Sequence, residues 1–186
     1  MLGAPGSGKG TQAMRIAQKY GFAHISTGDL FRKEIASQNA LGKEAQSYIE
    51  KGQLCPDSLT INMLHDFLSQ IPQNNGCIFD GVPRTIQQAE MLAGVDFPKP
   101  IPIDLVINLN VDPDEIKSRL LERANIQGRS DDTPEIIEKR LDTYFALTQP
   151  LEDYYSSQNK LAQVAGMGTV DEIFHRICQV IDEKRK

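Results

Sequence analysis

The segment Gly3-Ala4-Pro5-Gly6-Ser7-Gly8-Lys9-Gly10-Thr11 constrains this chain more than any other. Glycines at this density let the backbone turn tightly and aim several N–H groups at one anion. A helix opening near Lys9 adds the positive end of its dipole. The pattern reads as a phosphate-binding loop, in which Lys9 supplies a point charge for β- and γ-phosphates and Thr11 a hydroxyl near Mg²⁺. The Ser or Thr that ordinarily follows the lysine is displaced one position by Gly10.

The residues after the loop alternate short apolar runs with helical patterns, which predicts an α/β fold with a parallel sheet. Strands are expected over residues 22–26, 77–80, 105–110 and 160–165. Helices are expected over residues 8–20, 29–37, 43–51, 57–70 and 85–93, with Gly42 and Gly52 as punctuation. Asp112-Pro113-Asp114-Glu115 caps a further helix. Residues 133–156 read as one long helix bent near Pro150. In the last helix, Val170, Ile173, Phe174, Ile177, Cys178 and Ile181 share a face, a spacing that favours core packing. Residues 26–55 and 122–132 look like insertions.

Composition removes several classes of partner. The net charge is −5 over 186 residues, and Lys and Arg form no stripe, so neither nucleic acid nor an anionic membrane is expected. Cys55, Cys77 and Cys178 are widely spaced, which argues for reduced thiols in the cytoplasm and against a disulfide framework or zinc. No apolar run approaches the ~18 residues of a membrane span, and the first residues lack a signal-peptide pattern. His24, His65 and His175 have no metal-ligand spacing and read as structural.

Four further segments follow the glycine loop in order: Ser26-Thr27-Gly28-Asp29-Leu30 with Arg32, Gly52-Gln53-Leu54-Cys55-Pro56-Asp57, Asp80-Gly81-Val82-Pro83-Arg84-Thr85 with Gln88, and Gly128-Arg129-Ser130-Asp131-Asp132 with Arg140. Together with residues 3–11 they closely resemble the adenylate kinases, which convert ATP and AMP to two ADP. The resemblance runs from Gly3 to the C-terminus. It implies a three-layer α/β/α P-loop NTPase fold with a core of 1–25, 56–121 and 133–186. Residues 26–55 would be the AMP-binding (NMP-binding) insertion and residues 122–132 a short lid. It also implies Mg²⁺ with ATP, no zinc, and a monomer.

The resemblance assigns roles residue by residue. Gly6, Ser7, Gly8, Lys9, Gly10 and Thr11 would hold the ATP phosphates. Arg119 and Arg123 would lie at the ATP end, with Gly168 under the adenine. Thr27, Arg32, Gln53, Leu54, Cys55, Gly81, Val82, Pro83, Arg84 and Gln88 would form the AMP site. Arg129 and Arg140 would clamp the transferring phosphoryl group and AMP, and Asp80 would orient Mg²⁺ through water. Lys9, Arg84, Arg123, Arg129 and Arg140 are the catalytic set. The chemistry suits these residue types, because phosphoryl transfer spreads negative charge that planar guanidinium forks match.

Two departures from the family carry expectations. Val82 stands where an aromatic residue is usual, and its smaller side chain is expected to loosen the AMP pocket. Only Met1 and Leu2 precede Gly3, where the family has a first, central strand. Losing about four buried apolar residues would cost roughly 6–12 kcal/mol against a whole-domain margin of ~5–15 kcal/mol. The expectation is a longer natural product, or unusually good packing of the remaining strands. The rival readings are a UMP/CMP kinase, against which Thr27, Thr85 and Gln88 argue, and a nucleotide-binding protein with impaired catalysis.

Overall fold

The computed structural model describes residues 1–71, 76–95, 100–127 and 133–185. Within them the expected strands form as β1 (Ala23–Ser26), β2 (Cys77–Asp80), β3 (Val106–Asn110) and β4 (Leu161–Ala165). The helices are α1 (Lys9–Tyr20), α2 (Thr27–Ser37), α3 (Ala40–Ile49), α4 (Asp57–Gln70), α5 (Ile86–Leu92), α6 (Pro113–Gln127), α7 (Pro134–Thr143), α8 (Leu151–Ser156) and α9 (Val170–Lys184). Their ends follow local chemistry. Gly21 closes α1 in the left-handed region, and Thr169 and Glu172 form a reciprocal capping box on α9.

The strands pair in parallel, β1 with β2 and β3 with β4, each in continuous register. Met1 and Leu2 join the two pairs. The Met1 amine donates to the Phe79 carbonyl of β2 at 3.0 Å. Leu2 N–H donates to Ile107 O at 2.8 Å, and Leu109 N–H donates to Leu2 O at 3.0 Å, on β3. Leu2 is 3% exposed and packs with Ala89, Val106, Leu151 and Tyr155. Those two residues therefore sit in the sheet between β2 and β3 and aim the glycine loop out of its carboxyl edge.

Alternation along the strands sends apolar side chains to both faces. On one face Ile78, Ile107, Leu109 and Val164 pack under α1 and α9. On the other, Ile25 packs under α4 and α5, and Val106 under α5 and α8. The result is the three-layer α/β/α arrangement. In residues 26–55, Phe31, Ala45 and Cys55 form a further small cluster with Met63 of α4.

Several boundaries depart from the sequence reading. The long helix over residues 133–156 is interrupted by a five-residue π-helical turn, Tyr144–Thr148, before α8. Pro150 has no N–H to continue the ladder, and a wider turn ahead of it absorbs the mismatch. Helix α6 runs on to Gln127, so residues 122–127 of the expected lid are helical; residues 128–132 lie outside the described residues. Val170 is 47% exposed, not core, because it sits at the first turn of α9 where the helix clears the sheet.

Gly42 does not punctuate a helix but lies within α3, with its N–H on the Asn39 side chain at 2.7 Å. A β-carbon there would overlap the backbone carbonyl of Glu34 near the end of α2. Helix propensity alone would favour alanine by about 1 kcal/mol. Overlap with backbone, which no rotamer relieves, costs about 1–3 kcal/mol or more. Gly42→Ala is therefore expected to lower stability by about 2 kcal/mol in urea unfolding. A more stable variant would show that the two helices separate freely.

Candidate active site

The strands and the glycine loop open on one cleft of about 850 Å³. It lies beyond the carboxyl ends of β1 and β2, the usual ligand position in an open parallel sheet. Ser26 and Thr27 reach it from the end of β1, Asp80 from the end of β2, and Pro5, Gly6 and residues 8–11 from the loop and α1.

The loop is braced from within. Ser7 is 1% exposed, with its N–H on the Ala4 carbonyl at 3.1 Å. Gly8 precedes α1 at φ 93°, and an added β-carbon would meet nothing within 4 Å, so the concave side is open. The Lys9 ammonium curls back and donates to Gly3 O (2.7 Å), Ala4 O (2.8 Å) and Ser7 Oγ (3.3 Å). Burial lowers the Lys9 ammonium to about 8; Asp80 pulls it up, and Arg84, Arg140 and Arg123 push it further down. Cations from four segments of the chain thus converge on the loop. Gly10 backs onto Asp80, where a β-carbon would stand 3.1 Å from Oδ2. That contact accounts for glycine where the motif ordinarily has Ser or Thr. Thr11 follows as an exposed residue of the cleft wall.

Across the cleft the second group of motifs assembles. Thr27 is 2% exposed and donates to Gly81 O at 2.8 Å. The Arg84 Nε donates to the same carbonyl at 2.8 Å. Gly81 adopts φ +84°, and a β-carbon there would lie 2.8 Å from both Thr27 Oγ1 and Arg84 Nη2. Gln88, 1% exposed, accepts from Arg84 N–H at 2.7 Å and donates to Asp57 Oδ1 at 2.8 Å. Gln53, Leu54, Cys55, Pro83 and Arg140 also line the cleft, as does Arg32, which pairs with Asp29. Burial pushes the Cys55 thiol up to about 11, so it stays a packing group.

At the loop's outer side, Arg119 and Arg123 line the cleft with Ile126 and Val170. Arg119 is held by Glu115 at 2.8 Å and donates to Gly166 O at 3.2 Å.

Three expectations need correction or qualification. Val82 does not line the cleft: it is 1% exposed and packs with Ile25, Ile61, Leu64 and Leu92, so its size bears on the core and not on the pocket. Gly168 is not part of the cleft wall either; at φ +109° its missing β-carbon makes room for the Glu172 carboxylate that caps α9. Arg129 lies outside the described residues. Other wall residues escaped notice. His24, read as structural, lines the cleft, and its buried Nε2 makes no hydrogen bond among the described residues. Thr143, Tyr144 and Thr148 were hidden in an apparently plain helix, and only a threonine two residues before a proline hinted at them.

Known proteins match this sequence over nearly its whole length. Residues 1–160 match the family profile described as Adenylate kinase. The chain is 47% identical over 182 residues to an adenylate kinase of Parabacteroides distasonis, covering 98% of this chain and 96% of that protein. It is 47% identical over 186 residues to one of Porphyromonas gingivalis, covering 100% and 96%. It is 41% identical to one of Thermodesulfovibrio yellowstonii, covering 98% of each. With the family profile and these relatives matching over nearly the whole chain, it belongs to the adenylate kinase family.

Proposed function

We propose that this protein transfers the γ-phosphoryl group of Mg·ATP reversibly to AMP, giving two ADP. The observation that carries the reading is the convergence of Lys9, Arg84, Arg123 and Arg140 beside Asp80, with a phosphate loop at one end of the cleft and the Thr27–Gly81–Arg84–Gln88 cluster at the other. Gly6 to Thr11, Arg119 and Arg123 serve the ATP phosphates. Thr27, Arg32, residues 53–55, Gly81, Arg84 and Gln88 serve AMP, and Arg140 with Arg129 spans the transferring group.

An AMP phosphate oxygen attacks the γ-phosphorus as the bond to the β-bridging oxygen breaks, and ADP leaves. The attacking phosphate is already an oxyanion, since a phosphomonoester has its second pKa near ~6. No general base is required. Catalysis is then positioning plus cationic stabilisation of charge on the equatorial oxygens.

Magnesium fits the donor set. Asp80 offers one carboxylate at a strand end against Gly10, and Thr11 an exposed hydroxyl, which suits an ion that keeps waters and relies on phosphate oxygens. Asp80, acting through water, and Thr11 would hold it, and when bound it neutralises charge on the β- and γ-oxygens. We read residues 122–132 as a short lid that excludes water, and the protein as a cytoplasmic monomer with three reduced cysteines.

A coupled assay for ADP with AMP, CMP or UMP as acceptor tests the reading. Activity with AMP alone is expected; activity chiefly with CMP or UMP would move the chain to the sister kinases. Arg84→Ala is expected to lower kcat about 10²- to 10³-fold, the effect of removing one stabilising donor. An unchanged kcat would remove Arg84 from the site.

Lys9 makes the nucleotide complex pH-dependent. Its pKa is about 8 without ligand and rises when phosphate replaces the loop carbonyls. Between the two values the complex holds more protons than its parts. Affinity for ATP is therefore expected to fall as pH rises above about 8. Calorimetry in buffers of different ionisation heat should show proton uptake growing between about pH 7 and 9. Uptake that is flat over this range would mean that Lys9 does not recharge on binding.

A further inference from the structure

Arg84 is gripped by its backbone as well as by its side chain. Its N–H donates to Gln88 Oε1 at 2.7 Å, and its Nε to Gly81 O at 2.8 Å. Its carbonyl accepts a third hydrogen bond, 2.8 Å from the hydroxyl of Thr148, a residue 64 positions further along the chain. Gln88 and Gly81 belong to the same loop and helix start as Arg84, and Gln88 is in turn tied to Asp57 of α4. Thr148 is the hydrogen-bonding partner that ties the arginine's own backbone to the part of the chain carrying Arg140.

The segment around Thr148 is built to make that reach. Thr148 is 8% exposed and closes the π-helical turn Tyr144–Thr148, where Gln149 N–H reaches back to Tyr144 O at 2.9 Å. A π turn inserts an extra residue per turn and rotates the side chains that follow, and such turns recur at functional sites. One turn earlier, the Thr143 hydroxyl donates to Lys139 O at 2.8 Å within the helix and lies 3.4 Å from the Gly52 carbonyl, and Arg140 lines the cleft from α7. The same continuous segment thus carries Arg140, touches the AMP-side insertion and holds the Arg84 backbone.

We propose that Thr148 is a positioning residue for phosphoryl transfer, setting the Arg84 guanidinium in register with Arg140 through the hydrogen bond to the Arg84 carbonyl. The inference rests on the reading of Arg84 as a phosphate ligand. The physical ground is that transfer depends on guanidinium placement to a fraction of an ångström, whereas ground-state binding at the far ATP end does not. Valine matches threonine in shape and lacks only the donor.

The test is steady-state kinetics of Thr148→Val and Thr148→Ser, alone and on an Arg84→Ala background. Thr148→Val is expected to lower kcat/KM for AMP about tenfold with KM for ATP unchanged, the scale of one lost hydrogen bond. Thr148→Ser, which keeps the hydroxyl, should restore the rate. On the Arg84→Ala background Thr148→Val should add little, since the group it positions is gone. Equal losses with and without Arg84, a serine variant as impaired as valine, or wild-type kinetics in the valine variant would each overturn the proposal. Should the valine variant lose its fold by circular dichroism, Thr148→Ala takes its place in the same cycle. A wild-type chain that forms no ADP from ATP and AMP would instead overturn the functional reading, and the inference with it.

Discussion

Like charges crowded into one cleft set the terms for everything around them. Lys9, Arg84, Arg123 and Arg140 lie close enough that the three arginines help burial hold the Lys9 ammonium down to about 8, with Asp80 pulling the other way. Such a cluster repels itself until phosphate arrives, so it must be held by the frame. The frame does this with neutral carbonyls and a few carboxylates. Lys9 rests on Gly3 and Ala4, Arg84 on Gly81, and Arg119 on Glu115 and Gly166. An acidic chain can therefore carry a locally cationic site.

Holding charge with backbone requires backbone to come close. Gly10 lets the first turn of α1 lie against Asp80, and Gly81 leaves space where Thr27 and the Arg84 guanidinium share one carbonyl. Side chains at either position would separate groups that must act together. The insertion obeys the same logic at a distance from the chemistry, with α2 and α3 crossing at Gly42. Close packing there holds α2 and α3 against each other.

Much of this was legible before any coordinates. The glycine loop and the strand–helix alternation depend on residues near one another in sequence, and these elements form as expected within a few residues, whereas the caps at Ser26, Asn39, Thr85 and Thr133 emerge only in the structure. Errors fell where long-range packing decides. Val82 reads as a pocket residue from its motif, but the turn after β2 sends it into the core. Val170 reads as core from its period, yet its place at the start of α9 leaves it on the cleft. The π turn before Pro150 answers to the proline's missing N–H, but that its Thr148 lands on the Arg84 carbonyl is decided by packing between distant segments.

By itself the sequence determined the fold class, the phosphate loop and the identity of most cationic groups, since each follows from local backbone freedom, period and charge. Only the tertiary structure decided how those groups meet: that Lys9 folds back on its own loop, that Gly10 backs onto Asp80, that Gly168 serves a cap and not the cleft, and that Thr148 reaches Arg84. The physical reason is that hydrogen bonds between residues tens of positions apart depend on how layers pack, and packing is a property of the whole core rather than of any one segment.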